Sequence, residues 1–392
     1  MLVIVCPGQG SQKPGFLTPW LEIPGVRERA EWLSAVAGLD LVTHGTTSDE
    51  ATIKDTAIAQ PLLVMAGLVS MLSLFDHPVE GFRRVAAGAG HSVGEITAAS
   101  AAGVISAEQA MVFVRERGKA MAAASAVRPT GMSAVVGGDP GQVAEVLAAH
   151  GLSAANRNGA GQVVAAGTMD QLAALSDTPP EKARVIPLSV AGAFHTEHMA
   201  PAVDVLRGFA QAMSTHDARV PLVSNADGAV VHGGREVLSR LVSQVSNPVR
   251  WDLCMETFAE LGVTAVIEVP PAGTLTNLVK RALPGVETLA LRTPADLEKA
   301  HRLVAEHAEA RQNAVEPTWR LVISPAKGLL THNTAAMGSP VAAGDVIATV
   351  SSLRDTYDVT APHGGTIVEW LADDGDPVAP GQPVLRLHPE GN

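Results

Sequence analysis

Through most of the chain, short apolar and β-branched runs alternate with longer stretches whose apolar positions recur every three or four residues. The β-rich runs fall at 2–6, 85–88, 133–136, 163–166, 185–188, 220–223 and 263–268. Helical spacing lies between them, as at 106–125, 142–149 and 197–212. Alternation of this kind predicts an α/β fold around a mainly parallel sheet. Residues 127–192 carry a compact strand–helix–strand–strand–helix–strand order between Arg128-Pro129-Thr130-Gly131 and Ala191-Gly192. That order predicts a small ferredoxin-like insert.

After a helix that the periodicity carries to about Gln312, the texture changes. From Glu316 on, proline and glycine punctuate short alternating strands. Val322, Pro325, Gly328, Gly338, Pro340-Val341-Ala342, Gly344 and Val350 recur 37 residues later. Their counterparts are Val359, Pro362, Gly365, Gly375, Pro377-Val378-Ala379, Gly381 and Leu387. Two stacked copies of a short β unit predict a small pseudo-symmetric sandwich. The expected organisation is an α/β hydrolase-like core at 1–126 and 193–302, with the insert at 127–192. A helix end and linker at 303–318 then lead to an all-β barrel-sandwich at 319–392.

Composition narrows the classes. Apolar residues make up 46% of the 392 but aromatics only 3%, so the core must be packed from Ala, Val, Leu and Ile. A net charge of −12 argues against a nucleic-acid partner, which needs clustered Lys and Arg. An acidic protein partner would need a local basic patch. Cys6 and Cys254 are too few for a disulfide framework and have no metal-ligand spacing. No apolar run reaches the ~18 residues of a membrane span, and the opening run is too short for a signal peptide. A soluble protein of the reducing cytoplasm is expected.

The sharpest chemical signal is Gly90-His91-Ser92-Val93-Gly94, placed after a strand and before a helix. Small residues on both sides permit the strained turn that lifts a nucleophilic serine clear of a sheet. The helix beyond it offers N–H groups to a developing oxyanion. Such a serine needs a base. His195 and His198, in Ala193-Phe194-His195-Thr196-Glu197-His198, stand where a loop enters a helix, and either can be a base or a mere cap. Arg117 lies on an apolar helix side, with Phe113, Val114 and Met121 as its neighbours. A buried guanidinium must meet an anion, either an internal carboxylate or one that arrives with a substrate. Pro7-Gly8-Gln9-Gly10-Ser11-Gln12 follows the first strand. It can be an ordinary tight turn or a source of backbone N–H groups facing Ser92.

Taken together, these residues resemble the malonyl-CoA:acyl carrier protein transacylases over about residues 1–300. The motifs keep the family's order: 7–12, Ala59-Gln60-Pro61, Gly90-His91-Ser92-Val93-Gly94-Glu95, and Arg117 through Met121. Asn156 and Asn158 with the segment 161–167 follow, then Phe194-His195 and Asn247-Pro248-Val249-Arg250-Trp251. Val269-Pro270-Pro271 departs from the more usual Val-Gly-Pro. The resemblance implies Ser92 as nucleophile, His195 as base, and the backbone N–H groups of Gln9 and Val93 as oxyanion hole. It also implies Arg117 on the malonyl carboxylate, with Gln60, Met121, Asn156, Asn158 and Phe194 around the substrate. A main-chain carbonyl at Arg250 or its neighbour would orient the histidine. Malonyl-CoA and an acyl carrier protein are the implied partners, and fatty-acid or polyketide synthesis the setting.

The repeat region is similar to biotinyl and lipoyl carrier domains. Aligned on Val359-Thr360-Ala361-Pro362, Arg354 occupies the position of their modified lysine. Arginine keeps its proton and cannot act as the acceptor amine, so no biotin, lipoate or other covalent cofactor is expected. A docking or oligomerisation module is the reading for this region. Competing readings are a polyketide-type acyltransferase, the malonyl-transferring subunit of a malonate decarboxylase, a serine esterase that shares the elbow, and a catalytically inert scaffold.

Overall fold

The opening apolar run forms strand β1 (Leu2–Cys6), buried along its whole length. In this computed structural model, which describes residues 1–75, 78–308, 320–333 and 337–389, the chain divides into two units, Met1–Arg311 and Gln312–Asn392. The strands of the first unit continue as β2 (Val85–Gly90), β3 (Thr130–Gly137), β4 (Ser153–Gly159), β5 (Gln162–Thr168) and β6 (Ala183–Pro187). They end with β7 (Leu222–Val223), β8 (Val230–Val231), β9 (Val249–Arg250), β10 (Ala265–Glu268) and β11 (Glu287–Ala290).

The larger sheet runs β11-β10-β1-β2-β7-β8, parallel throughout except between β7 and β8. β1 shows why both faces are covered. Leu2, Ile4 and Cys6 enter one apolar core, while Val3 and Val5 enter another on the opposite face. A strand buried on both faces reads as an unbroken apolar run rather than an alternating one.

The second sheet runs β6-β3-β5-β4-β9. Its first four strands belong to the insert and pair antiparallel. With the helices Pro140–Ala149 and Met169–Asp177 they give the expected strand–helix–strand–strand–helix–strand order. The fifth strand, β9, returns from the core and lies parallel to β4, pairing Asn156 with Val249 and Arg157 with Arg250.

Two helices, Thr56–Met71 and Ala107–Val127, carry much of the site. The second opens with the capping box its spacing predicts. Ser106 Oγ accepts from the Gln109 N–H at 3.1 Å, and Gln109 Oε1 from the Ser106 N–H at 2.8 Å. Gly118 lets the two helices touch, since a Cβ there would lie 2.9 Å from the Thr56 carbonyl oxygen. The last helix of the unit is Leu297–His307. The extension to Gln312 and most of the expected linker lie outside the described residues. No helix among the described residues is long and apolar enough to cross a membrane.

The second unit holds β12 (Arg320–Ile323), β13 (Gly328–His332), β14 (Pro340–Val341) and β15 (Val346–Ser351). A second set follows: β16 (Thr356–Thr360), β17 (Gly365–Trp370), β18 (Pro377–Val378) and β19 (Pro383–Pro389). They build two four-stranded sheets, β12-β19-β17-β14 and β16-β15-β13-β18. Exchanging each strand for its repeat partner turns one sheet order into the other, so the internal repeat is the symmetry of the sandwich. Repeat-related Val322 and Val359, Val341 and Val378, and Val350 and Leu387 all sit in its core.

Candidate active site

β2 ends in the predicted elbow, and the helix Gly94–Ala101 leaves it. A Cβ on Gly90 would run into the Gly94 backbone, and one on Gly94 into the Cys6 carbonyl, so neither position accepts a side chain. Ser92 itself has φ +54°. His195 is also left-handed, at φ +62°. Each such residue costs on the order of 1–3 kcal/mol, a strain the surrounding fold must hold in place.

The strain brings the two together. Ser92 Oγ lies 2.7 Å from His195 Nε2. His195 Nδ1 donates to the Gln244 carbonyl oxygen at 2.8 Å, which leaves the Nε2 lone pair facing the hydroxyl. Burial, helped by the Arg117 charge, pushes the imidazole down to a pKa of about 3, so the ring is neutral near pH 7. The orienting carbonyl is therefore that of Gln244, which corrects the expectation of Arg250 or its neighbour. Arg250 instead closes a fork on Asp252 at 2.9 and 3.0 Å, and its backbone N–H donates to the Asn225 carbonyl oxygen. His198 has no such geometry; its N–H donates to Thr196 Oγ1 in a cap.

Arg117 is 1% exposed. Nη1 donates to Gln60 Oε1 at 2.7 Å, and Nη2 to Gln244 Oε1 at 2.8 Å and to Ser92 Oγ at 3.3 Å. Its bonds to other side chains thus go to two neutral amides and the serine. Nε is buried with no hydrogen-bond partner among the described residues. Burial lowers the guanidinium to a pKa of about 10, still charged at neutral pH. Gln60 Nε2 rests 3.4 Å from Met121 Sδ, and Phe194 is buried beside His195.

The remaining predicted residues divide. Among the described residues the backbone N–H groups of Gln9 and Val93 donate to no protein acceptor. The Asn156 side-chain oxygen is buried and has no hydrogen-bond partner among the described residues. Asn158 Oδ1 lies 2.9 Å from His91 Nε2, so it serves the elbow's own histidine, whose ring also tilts against Trp251 at 5.8 Å.

Three residues were missed. Asn225 accepts from the Ser92 N–H at 2.8 Å and donates to the Gly90 carbonyl oxygen at 2.7 Å. Gln244 bridges Arg117, His195 and the Ser92 carbonyl oxygen. Its Nε2 also donates to Glu95, a carboxyl that burial pushes up to a pKa of about 7 against the hydrogen bonds of Asn225 and Gln244. Only Glu95 had a signal, as the last residue of the elbow motif. A separate cavity of about 810 Å³, lined by Leu33, Leu68, Met71, Phe82, Ile105 and Val220 among others, contains none of these groups.

Residues 3–316 match the acyl transferase domain family, and the chain belongs to that family. Within it, the chain is 48% identical over 303 residues to the malonyl CoA-acyl carrier protein transacylase of Mycobacterium tuberculosis (strain ATCC 25618 / H37Rv). The match covers 77% of this chain and 100% of that relative. The relative of the same name from Escherichia coli (strain K12) is 33% identical, over 76% of this chain and 98% of its own length. The crystal structure of the enzyme from M. tuberculosis superposes with a TM-score of 0.74, covering 77% of this chain and 99% of that one. A malonyl-transacylase in complex with a type II polyketide-synthase acyl-carrier protein superposes at 0.70 with 29% identity, again over 77% and 99%. Residues 321–387 match a second family, described as biotin-requiring enzyme.

Proposed function

We propose that this chain transfers malonyl groups from malonyl-CoA to the pantetheine thiol of an acyl carrier protein, for fatty-acid or polyketide synthesis. Ser92 Oγ attacks the thioester carbonyl while His195 Nε2 takes its proton. The C–S bond breaks, the CoA sulfur leaves with that proton, and a malonyl-Ser92 ester remains. The carrier thiol then attacks the ester, giving its proton to His195, which returns it to Ser92 as the C–O bond breaks. The unused N–H groups of Gln9 and Val93 hold the oxyanion in both halves.

One observation carries the reading. A charged, almost fully buried arginine is held by two amides, opens on the nucleophile, and keeps an N–H unmet. A carboxylate arriving with the acyl group completes it. Gln60 holds Arg117 and rests on Met121, whereas Asn158 supports the site through His91. In this reading Phe194 and Asn156 also face the acyl group. A cytoplasmic setting completes the picture, in keeping with two free, buried cysteines. The β sandwich carries no biotin or lipoate in this reading, because Arg354 stands in the lysine's place.

Intact-mass spectrometry after mixing with malonyl-CoA tests the proposal. A malonyl increment is expected, absent from Ser92→Ala and discharged by a carrier protein bearing its pantetheine arm. Release as free malonate, with no acylated carrier, would overturn it. In Ser92→Ala the transfer rate is expected to fall on the order of 10⁴-fold or more.

A further inference from the structure

Glu95 is buried in the first turn of the helix that follows the nucleophile, and the chemistry above makes no use of it. Among the described residues it makes no salt bridge. Its carboxyl accepts instead from the Asn225 N–H at 2.7 Å and from Gln244 Nε2. Burying a carboxyl this way costs free energy that an apolar side chain would avoid, so its place needs a reason.

The Gln244 amide supplies one. A terminal amide has two nearly equivalent faces, and only its neighbours decide which way the oxygen points. Here the oxygen accepts from Arg117 Nη2 at 2.8 Å, and the nitrogen donates to Glu95 and to the Ser92 carbonyl oxygen at 3.0 Å. A reversed amide would set N–H groups against the guanidinium and oxygen against the Ser92 carbonyl oxygen and the Glu95 carboxyl. Both ends of the side chain would then be mismatched.

We propose that Glu95 is a positioning residue that locks the Gln244 amide and thereby aims the Arg117 fork at the substrate's carboxylate. The inference rests on the malonyl-transfer reading and deepens it. Glu95 touches no reacting atom. It acts on the selection of a diacid over a simple acyl group, through one intermediary.

The test is the ratio of kcat/KM for malonyl-CoA to that for acetyl-CoA, which lacks the carboxylate. Wild type comes first: failure to transfer malonyl would sink the parent reading before Glu95 is touched. In Glu95→Gln one amide group must face either the Asn225 N–H or the Gln244 NH₂, so the lock is weakened to the bonds that Gln244 keeps with Arg117 and the Ser92 carbonyl oxygen. The ratio is expected to fall roughly tenfold, mainly through KM for malonyl-CoA, with acetyl transfer nearly unchanged. On a Gln244→Met background the same substitution should have almost no further effect on the ratio, because the intermediary is gone. Equal losses on both substrates, an unchanged ratio, or a full effect surviving on that background would each overturn the proposal. Should Glu95→Gln fail to fold, Glu95→Met takes its place: the ratio must again fall, and an unchanged ratio in the folded variant overturns the proposal.

Discussion

Each unit of the chain has an arginine where its family resemblance looks for a working group, and the two are held in opposite ways. Arg117 is nearly inaccessible, fixed by Gln60 and Gln244, and points at Ser92. Arg354 lies in the exposed turn between β15 and β16, where Ser352 Oγ accepts from the backbone N–H groups of Arg354 and Asp355. Water competes for every donor of the second and for almost none of the first. A guanidinium becomes a binding group when the fold removes that competition; on a turn it stays a solvated charge.

The comparison can be broken most severely at Arg117. Arg117→Ala is expected to lower kcat/KM for malonyl-CoA on the order of ten- to a hundredfold while sparing acetyl-CoA. Equal losses would show the buried arginine to be structural, no more a binding group than Arg354. A smaller effect sharpens what burial does around it. His195 is pushed from 6.5 to about 3, so between those values the unfolded chain binds a proton that the folded chain refuses. Its contribution to stability is complete above 6.5 and shrinks as pH falls toward 3, by about 1.4 kcal/mol per pH unit. Glu95, raised from 4.5 to about 7, works the other way: its contribution is complete below 4.5 and is lost as pH rises through about 7. Urea unfolding of wild type and His195→Gln from about pH 4 to about pH 7 isolates the histidine, and parallel curves would refute its burial as a neutral base. At Arg354 no change at all is expected. Protein made beside an active biotin ligase should keep its unmodified intact mass, and a biotin-sized increment would reverse the contrast between the two units.

Much of this was legible from residue order. The continuous apolar run of β1, the capping box at Ser106 and Gln109, and the repeat behind the sandwich each left a direct pattern. So did the elbow, because Gly90 and Gly94 are demanded by backbone contacts that leave no room for a side chain. Strand β4 was not legible as a run. Its sequence Ser-Ala-Ala-Asn-Arg-Asn-Gly is polar, and two register shifts spoil any alternation. Gln244 and Asn225 were hidden for another reason. Their bonds to Ser92, Gly90 and Arg117 reach residues more than a hundred positions away, and no local spacing encodes such bonds. The Arg250 expectation failed on the same point. A main-chain carbonyl carries no side-chain signature, and the one that meets His195 Nδ1 belongs to Gln244, upstream of the named segment.

Strand β9 has a mechanical consequence. Because the insert's sheet takes its last strand from the core, the two lobes are stitched at Asn156–Val249 and Arg157–Arg250, close to the elbow's His91–Asn158 contact. Any swing of the insert away from the serine must first unzip that seam. The gap between the lobes is thus gauged before a thioester enters, like a slot cut to width rather than a jaw that closes on what it holds.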